Sequence, residues 1–302
     1  MINTLVGSFS QEEFMFSGHN ACPGCGPAIA VRHIIKATAS RAVIVIPASC
    51  WSIISGVVPL RTLETVVMHC PFPSAAATGG GIKKGLEAVG DTHTQVIILA
   101  GDGGTFDIGL QGLSGAAERN EDIIFVCYDN EAYMNTGMQK SSASPYGSYS
   151  TTTPAPKVKI NPKKDIMKII NAHQVPYAAT ATIAFPGDLI SKVKRALGIK
   201  GFRFLHILTP CPQGWGSPID KTVELSRLAV LTRLFPLWEV EGGVHYKLNF
   251  LPEEYLPVYE YLKPQKRFSS LDQSQVGLVQ ENVERQWEEI CRNTGVASPF
   301  RP

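Results

Sequence analysis

Charge is scarce in this chain. Asp, Glu, Lys and Arg together make up 18% of its 302 residues, against about 25% in ordinary soluble domains. Apolar residues, at 44%, are near the globular average, which excludes wholesale disorder. With so little charge to cover its surface, the chain either hides much of that surface against partners or is unusually compact. A net charge of +2 and a pI near 8.1 are too balanced to argue for nucleic acid or an anionic membrane. Met1 to Glu13 lacks the basic start of a secretion signal and meets two glutamates early, so no signal peptide is expected. The uncharged stretch from Ala42 to Leu60 imitates a membrane span. Pro47, Gly56, Pro59 and the polar Ser49, Cys50, Ser52 and Ser55 interrupt it, and a buried strand, a turn and a packed helix explain it better. A soluble, cytoplasmic protein is therefore expected. No internal repeat or low-complexity tract is present. The seven cysteines, Cys22, Cys25, Cys50, Cys70, Cys127, Cys211 and Cys291, are an odd number. That argues against a disulfide framework and turns the question to metal binding or catalysis.

Continuous apolar runs mark strands buried on both faces: Ala42–Ile46, Gln95–Ala100, Ile123–Tyr128, Ala178–Ile183 and Phe202–Thr209. Helical patterns alternate with them over Ala28–Thr38, Ser74–Val89, Phe106–Glu118, Lys163–His173 and Pro186–Leu197. This alternation predicts an α/β fold, a doubly wound, mostly parallel sheet with helices on both faces. The segment Gln139–Pro162, rich in Ser, Thr, Pro, Gly and Lys, is too long for a simple turn and reads as a functional loop. A helix near Asp220–Leu234, a turn at Gly242–Gly243 and an amphipathic helix near Gln273–Cys291 follow. One domain through residue 235 with a C-terminal extension, residues 236–302, is the expected organisation.

Gly101-Asp102-Gly103-Gly104 directly follows the strand QVIILA. Glycines at a strand's carboxyl end turn the chain sharply and let backbone N–H groups approach a phosphate. Asp102 adds a carboxylate at the same mouth, and a diphosphate held by amides needs a divalent cation such as Mg²⁺, which takes oxygen ligands. The next strand ends at Asp129-Asn130, with Asp129 26 residues beyond Gly103. Parallel strands deliver both ends to one sheet edge, where ligands bind, so Asp102 and Asn130 are placed to share a metal. Alone, GDGG is also an ordinary glycine turn. The run Gly79–Gly85 fails as a nucleotide motif: Lys84 occupies the third glycine of the dinucleotide fingerprint, and the GK[ST] ending of a P-loop is missing.

Cys22-Pro23-Gly24-Cys25-Gly26 is a tight C-x-x-C turn. Cys50 follows one strand end and Cys211 another, the latter within Thr209-Pro210-Cys211-Pro212. Four thiolates reaching one edge fit a structural zinc or a four-iron, four-sulfur cluster equally well; a redox C-x-x-C would need a thioredoxin-like unit. Cys127 reads as a small core residue. Cys70 and Cys291 have no partner at ligand spacing. His69, His173 and His206 read as structural, and Lys157, Lys159, Lys163 and Lys164 as a solvated cluster that could also dock an acidic electron carrier.

The GDG–Asn pattern is the thiamine diphosphate signature. The longer runs Gly101–Gly109 and Tyr128–Gly137 make the chain resemble the β subunits of the pyruvate:ferredoxin oxidoreductase group, from about Gly18 to Leu237. The resemblance implies that Asp102, the Asn130 side chain and the Ala132 carbonyl bind Mg²⁺. It places Gly101, Gly103, Gly104 and Thr136 at the thiamine diphosphate, His19 near it, and Asn135 beside the thiazolium and substrate as the candidate catalytic residue. It also implies that Cys22, Cys25, Cys50 and Cys211, with Gln213-Gly214-Trp215 completing the last motif, ligate one 4Fe–4S cluster.

The implied activity is oxidative decarboxylation of pyruvate to acetyl-CoA and carbon dioxide in anaerobic metabolism, with electrons passed to ferredoxin. Oxalate is the runner-up substrate, because Cys70-Pro71-Phe72-Pro73-Ser74 departs from the group's Phe-x-Asn or Phe-Gly pattern; branched 2-oxoacids and 2-oxoglutarate are further members of the group. Only the diphosphate half of a thiamine site is visible. The resemblance therefore implies a hetero-oligomer in which one partner supplies the pyrimidine-binding domain and another carries further iron–sulfur clusters. A non-redox thiamine subunit and a zinc-stapled binding protein are the rival readings.

Overall fold

The computed structural model describes residues 12–39, 41–57 and 59–297. Most of the stretch read for a signal peptide, residues 1–11, lies outside the described residues, as does Val58 of the uncharged stretch.

The chain runs through α1 (Gly26–Thr38), β1 (Ala42–Pro47), α2 (Cys50–Ile54), β2 (Val66–Cys70), α3 (Ala75–Ala88), β3 (Gln95–Gly101), α4 (Leu110–Glu118), β4 (Ile124–Asp129), α5 (Ile166–Asn171), β5 (Tyr177–Thr182), α6 (Pro186–Gly198) and β6 (Arg203–Leu208). It continues with α7 (Pro212–Trp215), α8 (Thr222–Leu231), β7 (Trp238–Glu241), β8 (His245–Leu248), α9 (Tyr259–Leu262) and α10 (Gln273–Thr294). One eight-stranded sheet has the order β2-β1-β3-β4-β6-β5-β7-β8. The first six strands in that order are parallel; β7 and β8 add antiparallel at the far edge. Residues beyond 235 thus continue the same sheet.

The expected doubly wound architecture is realised by alternation within each apolar run. In β3, Ile97 and Leu99 face a core shared with Val31, Ile34 and Ile35 of α1 and with Leu189 and Val193 of α6. Val96, Ile98 and Ala100 face the opposite core with Ala76 of α3, Leu113 of α4 and Ile170 of α5. Each fully buried side chain of this kind contributes about 1.5–3 kcal/mol. Cys127 lies in the second core, fully buried, as read from its strand. A third cluster, with Trp215, Leu225, Tyr261, Leu262 and Phe268, folds the C-terminal residues back against α7 and α8.

The uncharged Ala42–Leu60 stretch forms β1 and the short helix α2, and among the described residues no helix is long and apolar enough to cross a membrane. One strand not read from the sequence is β2. It is the sheet edge next to β1, and its Val66 and Met68 are exposed. The helix expected over Phe106–Glu118 is two elements instead: a π-helical turn, Gly103–Asp107, and then α4.

The register explains why the site lies where it does. Gly101 pairs with Tyr128, Asp129 with Leu208, and Pro47 with Cys70. The carboxyl ends of β1, β3, β4 and β6 therefore stop side by side, and the loops that leave them carry Cys50, Asp102, Asn130 and Cys211.

Candidate active site: an oxygen corner beside four thiols

At the end of β3 the chain enters the π-turn with Asp102 at its cap. Such turns are rare and recur at functional sites. Its consequence here is to present Gly103 and Gly104 at the floor of a cleft of about 110 Å³. Gly103 allows the close approach of Tyr133: a Cβ there would lie 2.1 Å from the Tyr133 ring. The Tyr133 hydroxyl in turn donates to Asp107 Oδ2 at 3.0 Å.

Asp102 is buried, and burial pushes its carboxyl well above the usual carboxylate range, with the Asp129 charge adding to the effect. Ser141 donates to Asp102 Oδ2 at 2.5 Å, and the Asn130 amide faces Oδ1. With its nitrogen inward, that amide donates to Asp102 Oδ1 at 2.9 Å and to the Ala132 carbonyl at 2.8 Å. With its oxygen inward, three oxygens share one corner, and a cation is needed to reconcile them. Octahedral Mg²⁺ at about 2.0–2.1 Å sets neighbouring ligand oxygens about 2.9 Å apart, so the donor set and its spacing fit the metal.

Between Asn130 and Ala132, Glu131 adopts φ +68°. A non-glycine residue in this region carries strain of about 1–3 kcal/mol and persists only where its surroundings enforce it. Here each polar group of Glu131 is held. Its N–H donates to Asp129 Oδ1 at 2.9 Å, its carbonyl accepts from Ser144 Oγ at 2.7 Å, and its carboxylate pairs with Lys163 at 2.8 Å and Arg267 at 2.5 Å. Asp129 is fully buried and pairs with Lys163 at 2.5 Å and His206 at 2.7 Å. Burial opposes ionisation of Asp129, but Lys163 and His206 hold its carboxyl down to about 2. The result is an ion-paired scaffold beneath the Asn130–Ala132 loop.

The solvated reading of the lysine cluster therefore needs correction. Lys163 lies between two buried carboxylates, and the buried Lys159 donates to the carbonyls of Ser142 and Pro162 at 3.3 and 3.2 Å, and to that of Ser144. His206 is part of the same scaffold. The Gln139–Pro162 loop, expected to be functional, supplies Ser141 and Ser144. Ser141, Lys163, His206 and Arg267 stand in no local motif, and of these the loop's length pointed only towards Ser141; Glu131 lies within the Tyr128–Gly137 run, but its pairing role does not follow from it. With Asp102 in its expected role at Mg²⁺, replacing Ser141 with alanine should weaken Mg²⁺-dependent binding of thiamine diphosphate about tenfold, as loss of an outer-shell partner to a metal ligand does. Titration calorimetry of the assembled complex would test this, and an unchanged dissociation constant would count against the orienting role.

Asn135 and Thr136 line the open side of the cleft and are exposed; Thr136 Oγ1 donates to Gln139 at 2.5 Å. His19 is exposed and does not line the cleft; its Nδ1 accepts the Ala21 amide at 3.3 Å. Cys50 forms part of the cleft wall. Burial raises the thiols of Cys25 and Cys50 to about 12, with Cys211 and Cys22 adding to the shift at both. Cys211 is shifted up by burial and by Cys22, although the amides of Gly214 and Gln213 oppose this. Among the described residues, no three His, Cys, Asp or Glu side chains converge on a point that would hold a single ion. Cys25 caps α1, Cys211 caps α7 and Cys50 opens α2, so three of the four sit at helix amino ends.

Comparison with known proteins shows the family and the fold. Residues 58–207 match the C-terminal TPP-binding domain of thiamine pyrophosphate enzymes. The ketoisovalerate oxidoreductase subunit VorB of Pyrococcus horikoshii is 44% identical over 92% of this chain and 93% of its own. The pyruvate synthase subunit PorB of Methanocaldococcus jannaschii is 41% identical over 97% of this chain and 100% of its own. A 2-oxoglutarate:ferredoxin oxidoreductase from Magnetococcus marinus shares the fold at 22% identity, with a TM-score of 0.55 over 74% of this chain and 84% of that one. With its glycine turn, oxygen corner and cysteine strap on one sheet edge, the chain belongs to the β subunits of the 2-oxoacid:ferredoxin oxidoreductases.

Proposed function

We propose that this chain is the thiamine- and iron–sulfur-binding subunit of an enzyme that oxidatively decarboxylates pyruvate to acetyl-CoA and carbon dioxide and reduces ferredoxin. The observation that carries this reading is a shared surface: the cleft holding Asp102, Asn130 and Ala132 has Cys50 in its wall. A diphosphate–metal site and a one-electron carrier would thus stand side by side, as redox decarboxylation requires and a non-redox carboligase does not.

When bound, thiamine diphosphate supplies the electron sink for decarboxylation. In the proposed arrangement Asp102, Asn130 and the Ala132 carbonyl hold Mg²⁺, and the amides of the Gly103–Gly104 turn face the diphosphate. Asn135 offers a neutral amide on the open side, where a substrate oxygen can be oriented. Cys22, Cys25, Cys50 and Cys211 hold the cluster. The relatives named as oxidoreductase subunits support a redox cluster over a structural zinc at these four cysteines. Replacing Cys211 with serine should lower iron content and stop ferredoxin reduction; full iron occupancy with unchanged turnover would remove Cys211 from the ligand set.

The small cleft supports a small substrate. Phe72 and Tyr133 meet edge to face across it at 6.0 Å, and among the described residues no Lys, Arg or His lines it to receive a distal carboxylate. The exposed Asn135–Gly137 lip leaves room for a partner subunit to complete the thiamine site, and the relatives named as subunits support such partners. Substrate-dependent reduction of a viologen dye by the purified complex, with coenzyme A, is the test. Pyruvate should give the highest kcat/KM among pyruvate, 2-oxoisovalerate, 2-oxoglutarate and oxalate; a tenfold preference for another acid would replace pyruvate with it.

A further inference from the structure

Arg267 belongs to the C-terminal residues, far in sequence from both the metal corner and the cysteines. It is nonetheless almost fully buried, and its contacts reach three separate parts of the site. Its Nη2 pairs with Glu131 at 2.5 Å, gripping the strained residue between Asn130 and Ala132. Its guanidinium carbon lies 3.8 Å from the Trp215 ring centroid, within the range of a strong cation–π contact. Trp215 stands in α7, the helix capped by Cys211, and its indole N–H donates to the Asn130 carbonyl at 2.8 Å. The Arg267 backbone carbonyl accepts from Tyr149 at 2.9 Å, in the loop that supplies Ser141 and Ser144. Nε is held by Gln265 Oε1 at 2.9 Å, and Tyr261 lies 3.4 Å from Nη2, which fixes the fork.

Two alternatives fail on these contacts. An ordinary structural ion pair would not place the planar face of the same side chain on the cysteine strap. A solvent-facing role is closed by burial. A planar cation with several donors can satisfy a carboxylate and an aromatic face at once, and a lysine ammonium cannot reproduce both.

We propose that Arg267 is a positioning residue that, together with the Trp215–Asn130 hydrogen bond, locks the metal-ligand loop and the Cys211 helix into one rigid unit and so sets the relative placement of thiamine diphosphate and cluster. The proposal rests on the assignment of Asn130 to Mg²⁺ and of Cys211 to the cluster. Arg267 touches neither group. It acts through Glu131 on one side and through Trp215 on the other.

The test uses the complete heteromeric complex carrying Arg267→Met, Arg267→Lys or Trp215→Phe. Thiamine diphosphate affinity is measured by calorimetry at saturating Mg²⁺, and the reduced cluster by electron paramagnetic resonance. Arg267→Met should weaken thiamine diphosphate binding about 10–100-fold, as removal of outer-shell partners does, and alter the cluster's resonance line shape. Arg267→Lys keeps the charge opposite Glu131, so it should recover most of the affinity while the altered line shape remains. Trp215→Phe keeps the packing but loses the donor to Asn130; it should weaken binding and alter the spectrum, and it serves if Arg267→Met does not fold. Variants with wild-type affinity and wild-type spectra would overturn the role of Arg267. A wild-type complex that holds no thiamine diphosphate or no iron would instead overturn the site assignment on which the proposal stands, and the proposal with it.

Discussion

Replacing Asp102 with alanine should abolish retention of thiamine diphosphate and leave the iron content of the complex unchanged. Asp102 is the only carboxylate in the oxygen corner; Asn130 and Ala132 contribute neutral oxygens. Without it, the chain would offer the diphosphate-bound cation two carbonyl-type dipoles and no formal charge, too little to offset the loss of its water ligands. The affinity loss should exceed the roughly 100-fold upper range for outer-shell partners. The stability of the apoprotein should change much less. Burial and the Asp129 charge both disfavour the Asp102 carboxylate, so the cost relieved by removing it works against the loss of the hydrogen bonds from Ser141 and Asn130, and the apo variant should melt close to wild type. The combination is diagnostic: a destabilised fold loses cofactor and melting temperature together, whereas loss of a metal ligand separates them. Thiamine released on denaturation after desalting, iron content and thermal melting are the three measurements. Normal thiamine content would remove Asp102 from the metal site.

The second large effect is expected at Gly26. Its N–H donates to the Pro210 carbonyl at 3.2 Å, seating the Cys22–Cys25 turn directly on the segment that leads into Cys211. A Cβ at Gly26 would lie 2.5 Å from Pro210 O, 2.8 Å from Thr209 C and 2.9 Å from Pro210 N. These are backbone atoms, with no rotamer to yield, so Gly26→Ala must push the two cysteine-bearing segments apart. Overpacking of this kind costs about 1–3 kcal/mol, and a cluster that needs all four thiols is more sensitive than the fold. Iron per chain should fall severalfold, with a lower melting temperature. Gly81→Ala is the matched control: nothing lies within 4 Å of that position on α3, and helix propensity alone should leave it neutral or slightly stabilising. Full iron content in Gly26→Ala would mean that the segments can separate without loss of the site.

Much of this architecture is legible in the sequence because central parallel strands advertise themselves. QVIILA and IFVCYD are apolar on both faces, and their carboxyl ends carry the residues that the sheet edge needs. The edge strand β2 does not advertise itself, since five residues ending in His69 and Cys70 carry no long apolar run. The glycine turn and the oxygen-bearing side chains are likewise visible as a local spacing. The scaffold beneath them is not. Lys163 reads as one of four lysines in a polar segment; its partly buried place is fixed by Asp129 and Glu131, more than thirty residues earlier. Arg267 is 136 residues from its partner Glu131, and no periodicity or composition connects them. His19 shows the converse: adjacency to the cysteine turn in sequence does not bring its ring to the cleft wall. Local chemistry is written locally, while the groups that hold it in place are assigned by topology.

The seat of the Cys22–Cys25 turn also imposes a timetable. The carbonyl that receives Gly26 comes from Pro210, and the Gly24 carbonyl accepts from Thr222 at 2.7 Å. Both partners leave the ribosome after more than two thirds of the polypeptide has been made. Until then the first pair of cysteines has nothing to dock against, and closing so long a loop must wait for the intervening strands. Nascent chains therefore carry unseated thiols through most of synthesis. On the proposed assignment of these cysteines to a cluster, delivery of iron and sulfide would belong to a late stage of this subunit's maturation, after the sheet has closed its order around β6.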